Sequence, residues 1–524
     1  MRSSPPRPSL AYVLLTALSL SLGWGIRGNF GHEYGAMLPG ALAVLAAILL
    51  SGRPDWYARA PFFAMFGALG WSFGGSMSYM QVIAYTHSGD SASVLYGFAC
   101  LFIIGFLWAA PGGVGASFPA ILARDRLTEL LGPIAAVLAA WQIEGWLLEP
   151  WLHRMGYSLD WYDSDWLGAL VALGVGIVLS LLRRKVDRAT SLILYMAGGW
   201  WAGFIVLVIV LGLRMTPPRG DNWAGCLGMT TGLFAYCMRS GLPEAARAGL
   251  VTGVGGGISF AGASMIKLAA VTSGFVTNWH SVLEQTTGFI NGLGVALAMW
   301  RLSRCSPPVD DRGAPSTSRP WATSLAVAFT LLAIPVVNLR KNPRDWVDAK
   351  IVPAEMYGWS ADAWFGLAFV IVAVGLFGLM YRHARRPIAV VPESPLGQGQ
   401  ALYLLLMAIM VVGNFERVLV RFADQRLITE GVVHVDAVVC AALLLLASPA
   451  RGFEPEWPTR RPEGRDQSIR WKRLITTAIA ASLLAIILDW AIVRAIYGDR
   501  FAGHARLHIR FGPQATASDP NSPR

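Results

Sequence analysis

Along the chain, apolar residues come in unbroken runs of helix length. They do not show the apolar–polar alternation of barrel strands. A membrane crossing takes about 20 mostly apolar residues. On that measure the pattern predicts helices over 9–26, 36–50, 61–86, 94–112, 130–148, 166–183, 190–213, 223–239, 248–272, 280–300, 320–337, 361–381, 399–419, 431–448 and 472–497. The shortest, 36–50 and 431–448, suit half-helices or tilted elements. The first segment, LAYVLLTALSLSLGWGI after Arg2 and Arg7, resembles a secretory signal, but no small-residue cleavage site follows it. The fold class expected is all-α, a polytopic membrane protein of about 14–15 transmembrane helices.

The chain also repeats itself. ARAPFFAMFGALGWSFGGSM (58–77) aligns without gaps on ARAGLVTGVGGGISFAGASM (246–265), with seven of 20 positions identical. Arg27, Gly28 and Gly40 match Arg219, Gly220 and Gly232 at an offset of 192, and the stretches 163–185 and 361–386 are alike. The expected organisation is a first six-helix repeat over 1–187, a second over 188–388, three added helices over 389–500 and an outer tail over 501–524. Six is even, so both repeats cross the membrane in the same sense. This architecture resembles the major facilitator superfamily, which implies two halves related by an axis along the membrane normal. That superfamily's basic Gly/Asp/Arg signature between helices two and three corresponds here only to GRPDWYARA (52–60).

Composition narrows the class. Of 524 residues, 54% are hydrophobic and only 14% charged, against about a quarter charged in a soluble domain. Mean hydropathy is +0.48. A water-soluble globule and a disordered or collagen-like chain are excluded. With the N-terminus in the cytoplasm, the cytoplasmic segments hold 26 Lys/Arg, the opposite ones 16, and Lys267 lies inside a helix. The expected location is therefore the cell (inner) membrane, with the N-terminus cytoplasmic and the C-terminus outside. The net charge of +11 reads as topology and anionic-headgroup contact rather than a nucleic-acid footprint. None of the five Cys forms a C-x-x-C, and no H-E-x-x-H or phosphate-cradling Gly-rich loop is present, so neither metal nor cofactor is implied.

An ionisable side chain inside lipid marks a site until a partner explains it. GWGIRGNFGHEYGAMLPG (23–40), between helices one and two, has six Gly and Pro39. These argue against a continuous helix and suit a backbone that turns or re-enters the membrane, presenting Arg27, His32 and Glu33. The second repeat offers Arg219, Asp221 and Asn222 in the same place. Paired broken loops of this kind point to a binding site in repeat-built transporters. Further candidates are Gln81, Lys267, Glu284 and Asn291, with Lys267–Glu284 the expected ion pair. Glu284, Gly288, Asn291 and Gly292 share one helix face. Arg27 and Arg219 equally suit snorkelling to headgroups, and Glu33 or Asp221 suits a helix cap. Asn414, Glu416 and Arg417, outside the repeats, read first as structural pairs. Small-x-x-x-small patterns such as Gly253, Gly257 and Ala261 read as close helix packing, and Trp24, Trp56, Trp146, Trp161, Trp166, Trp223, Trp279 and Trp364 as an aromatic belt.

Three functions fit. The first is a secondary transporter of a small polar, possibly anionic solute, coupled to protons or another ion. The arginines would engage the solute, His32, Glu33 or Glu284 would take the proton, and no residue would be catalytic. The alternative is an integral membrane enzyme with an outward-facing active site, for instance a transferase using a lipid-linked donor. In the third, the three added helices dock a membrane partner. Lipids are expected partners in every case.

Overall fold

The computed structural model describes residues 8–28, 30, 33–73, 80–157, 159, 161–213, 222–309, 320–386, 390–420, 424–447 and 471–498. The main helices are α1 (Leu10–Arg27), α2 (Glu33–Leu49), α3 (Ala60–Ser72), α4 (Ser91–Ile121), α5 (Arg124–Ile143), α6 (Trp166–Arg183), α7 (Arg188–Phe204), α8 (Asn222–Arg239), α9 (Pro243–Ala263), α10 (Trp279–Cys305), α11 (Pro320–Ala328), α12 (Ala361–His383), α13 (Pro395–Val420), α14 (Asp424–Leu446) and α15 (Trp471–Tyr497). Shorter helices run over Met265–Ser273 and Lys341–Asp348, and one two-stranded hairpin pairs Glu355–Met356 with Trp359–Ser360. The protein is thus an all-α polytopic membrane protein; the run read over 61–86 is divided between α3 and the short helix Met80–Ile83, with 74–79 outside the described residues.

Among the described residues, ten helices are long and apolar enough by themselves to cross a membrane. The other five long segments fall short for a physical reason. Helices α8, α10 and α14 carry polar residues, and α2 and α3 are short. A helix walled by other helices needs less apolar surface than one facing lipid. The clearest case is α2, expected as a half-helix. It is a continuous 17-residue helix whose side chains from Leu38 to Leu49 are almost all shut off from solvent. The periphery shows the converse: α6, α12 and α15 expose Leu181, Leu182, Ile371 and Leu484.

Backbones meet where glycines allow it. Helix α4 runs along α9, and a Cβ on Gly256 would stand 2.4 Å from the Ala109 Cβ and the Gly105 oxygen. The expected packing role of Gly253 and Gly257 is met against Phe106 and Phe102. Helix α1 runs along α10 in the same manner, with Gly288 against Leu20 and Ser21. Both contacts join the first six helices to the second six.

The span 23–40 differs from expectation. Helix α1 continues through Gly23 and Gly25 to Arg27, and α2 resumes at Glu33 with Pro39 inside it. These glycines serve helix contact rather than a long turn. A Cβ on Gly23 would meet the Pro39 backbone at 2.5 Å, and one on Gly25 would meet Gln285 at 2.7 Å. The tryptophan belt is likewise divided. Trp146 and Trp161 are exposed, whereas Trp24 and Trp56 are in the core.

The GRPDWYARA stretch acts as a clasp at the opposite end of the bundle. Buried Arg53 pairs with Asp55 at 2.5 Å and donates to the carbonyls of Ser303 and Ser306 at the end of α10. Buried Arg59 donates to the carbonyls of Pro119 and Leu122 at the end of α4.

Candidate functional site

Arg27 closes α1 and Glu284 sits in the second turn of α10, so close packing of the two helices brings these side chains together. Arg27 Nη1 lies 3.2 Å from Glu284 Oε1 and 3.4 Å from Oε2, and both residues are 2% exposed. Gly28 lies against the carboxylate, since a Cβ there would be in van der Waals contact with Glu284 at 3.6 Å. His280, one turn before Glu284, places Nε2 3.4 Å from the same Oε1 and is 39% exposed. The pair therefore opens outward through an imidazole.

Aromatic rings hold the guanidinium from the other side. Arg27 stands over Trp24 at 5.0 Å and Trp108 at 4.7 Å. Trp24 in turn makes edge contacts with Trp71, Trp108 and Phe260 at 5.3–5.8 Å. A desolvated cation on indole faces gains about 2 kcal/mol. This recovers part of the cost of burial, and the carboxylate recovers more.

A second charged cluster adjoins the first. On α13, Arg417 pairs with Asp345 of the Lys341–Asp348 helix, and buried Asn414 donates to buried Glu430 of α14. Asn342 donates to the Gly413 carbonyl at 3.0 Å. Arg417 also lies 5.9 Å from the ring of Phe30, in the connection that follows Arg27. The three added helices are therefore not remote from the site. Arg417, read as part of a structural pair, stands beside Phe30 of the α1–α2 connection.

Of the candidates read from the sequence, the structure brings Arg27 and Glu284 together. Lys267 is part-buried and within electrostatic range of Glu284, but the ion pair that forms is Arg27–Glu284 rather than Lys267–Glu284. Chain separation hid this, since only the α1–α10 crossing makes them neighbours. Asn291 is fully buried two turns along α10 from Glu284. Asn222 is engaged elsewhere, donating to Asp165 Oδ2 at 2.7 Å at the start of α6. His32, Arg219 and Asp221 lie outside the described residues. Glu33 opens α2 and Gln81 lies in the short helix Met80–Ile83. The sequence reading placed His280 among the polar residues at the start of the helix over 280–300 but gave it no role, and it did not nominate Trp108, Lys341 or Asp345. One signal was available: Trp24 and Arg27 are three apart on one helix, the spacing that stacks a cation on a ring.

No family model matches the chain. No solved structure matches it either. A curated protein that it resembles is the bacteriochlorophyll synthase 44.5 kDa chain of Rhodobacter capsulatus. The two are 25% identical over 293 residues, covering 42% of this chain and 67% of the relative.

Chemically, the arrangement is a carboxylate fixed between a permanent cation and an imidazole that reaches the surface. Glu284 is held by Arg27 in a buried setting, so it can orient His280. His280 is the group of the three whose ordinary pKa lies near neutrality.

Proposed function

We propose that this chain is an integral membrane enzyme whose reacting groups lie at the α1–α10 end of the bundle, acting on a substrate that arrives from the lipid phase, such as a lipid-linked donor. The observation that carries this reading is the Arg27–Glu284–His280 series, with two members buried and the third half-open. In a transfer reaction His280 takes the proton of an acceptor hydroxyl as its oxygen attacks the donor, and the electron pair of the broken bond leaves with the departing group. Glu284 positions the imidazole and stabilises its protonated form. Arg27 holds Glu284 and faces the developing negative charge. The relative named as a chain of a synthase supports an enzyme.

The test is turnover by the purified protein in nanodiscs, supplied with labelled lipid-linked donors and a panel of hydroxyl and carboxyl acceptors. A bacteriochlorophyll precursor belongs on that panel because of the relative's name. Product formation is expected for the wild type and a loss of about 100-fold or more for His280→Ala, within the range for a lost general base. Absence of any product across the panel counts against the reading.

A second reading, a secondary transporter of a small anionic solute, draws on one observation: Arg27–Glu284 joins a helix of the first repeat to a helix of the second. Halves that rock about a shared site would be coupled through such a pair. Uptake into proteoliposomes that falls with Arg27→Ala, without chemical change of the solute, favours this reading over the first.

A further inference from the structure

We propose that Arg27, Lys341 and Arg417 form a phosphate-binding site beside His280 and Glu284, taking the phosphate or diphosphate group of the substrate. This deepens the enzyme reading of the same end of the bundle and rests on it. Three elements distant in sequence deliver the three cations: the end of α1, the helix Lys341–Asp348 and the outer part of α13. Phe30 lies between two of them, following Arg27 in the chain and facing the Arg417 guanidinium at 5.9 Å.

The cations here are unequally engaged among the described residues. Arg27 is met by Glu284 and Arg417 by Asp345. Lys341 is part-buried and within electrostatic range of both arginines and of Asp345, yet no hydrogen bond or ion pair holds its ammonium among the described residues. Nearby, Arg340 and Arg344 share one carboxylate, Asp362, at 2.7 Å and 3.4 Å. Like charges in a partly desolvated site repel strongly, and a bound anion reverses that sign. Two guanidinium forks and one mobile ammonium suit tetrahedral phosphate oxygens, which can receive several donors at once. A lone carboxylate offers two oxygens and fits three such donors less well. Lys341 and His280 are each part-exposed, so neither is sealed from an incoming anion.

The phosphate can belong to a lipid or be free in water, and one experiment separates the sources. Wild-type protein in phosphatidylcholine nanodiscs is titrated with inorganic diphosphate, read by tryptophan fluorescence, since Trp24 and Trp108 lie against Arg27. Saturable binding is expected. It should weaken about tenfold or more in Lys341→Gln, the loss of one charge-assisted bond, and return in Lys341→Arg. Repeating the titration in discs containing a polyprenyl phosphate identifies the source. Apparent diphosphate affinity falls if the lipid headgroup occupies the site and is unchanged if the site takes free anion. Melting temperature is followed for each variant, and Lys341→Met serves as a second neutral variant should Lys341→Gln not fold. No saturable binding, or equal binding by folded Lys341→Gln or Lys341→Met, overturns the proposal. Turnover without phosphate binding defeats this inference alone, whereas phosphate binding without turnover defeats the enzyme reading alone.

Discussion

Arg27 and Glu284, 257 positions apart in the chain, form an ion pair with both side chains 2% exposed, at the point where α1 crosses α10. A buried pair of this kind adds little net stability, but removing one member leaves the other buried without that countercharge. Arg27→Met and Glu284→Met are each expected to cost about 3–5 kcal/mol. The double variant Arg27→Met/Glu284→Met should recover most of that loss, because no charge is left unpaired. Reversible unfolding in mixed micelles, arranged as a double-mutant cycle, measures the coupling. Additive effects would show that the two side chains act independently.

The glycines of the bundle separate into two sorts. At Gly256 a Cβ would stand 2.4 Å from the Ala109 Cβ and the Gly105 oxygen, whereas at Gly198 in α7 nothing lies within 4 Å. Gly256→Ala is expected to destabilise by about 1–3 kcal/mol through overpacking. Gly198→Ala should be neutral or stabilising by up to about 1 kcal/mol, since only helix propensity changes. Melting temperatures of the two variants in the same detergent check the contrast.

Asp90 caps α4, accepting from the Ser93 backbone N–H at 2.8 Å. That bond and one from the Ser93 side chain hold its carboxyl below the ordinary value of 3.8. The folded state therefore prefers the carboxylate. The cap contributes above pH 3.8 and is lost as the pH falls through the lower folded value. Asp90→Ala should cost about 1 kcal/mol near neutral pH. The gap between wild type and variant should close on acidification below pH 3.8, which paired thermal melts at several pH values would reveal.

Cys305, at the end of α10, is exposed, and the other four cysteines are buried. The bias of Lys and Arg predicts that α10 ends on the cytoplasmic side. A membrane-impermeant maleimide is expected to label Cys305 in inverted vesicles and to spare it in intact cells. The opposite pattern, checked with Cys305→Ser, would reverse the orientation of the whole bundle.

The all-α class and membrane residence were legible in the sequence, because they depend on runs of apolar residues and those runs are local. The segment 166–183, for instance, reappears without change as α6. Half of the central ion pair was legible too. Arg27 and Glu284 each stood out as charge inside an apolar stretch, the one feature lipid makes costly wherever the residue sits.

Pairing was not legible. Glu284 has Lys267 nearer in sequence and at similar depth, yet the α1–α10 crossing gives it Arg27, and backbone approach at Gly288 decides which helices cross. Trp24 looked like an interface residue and is a wall of the charge site. Arg417 read first as a structural pair, and its guanidinium faces the ring of Phe30. Which apolar runs exist is a property of each segment against water and lipid, and the chain states it directly. Which runs touch depends on where small side chains let two backbones meet, and only the assembled bundle decides that.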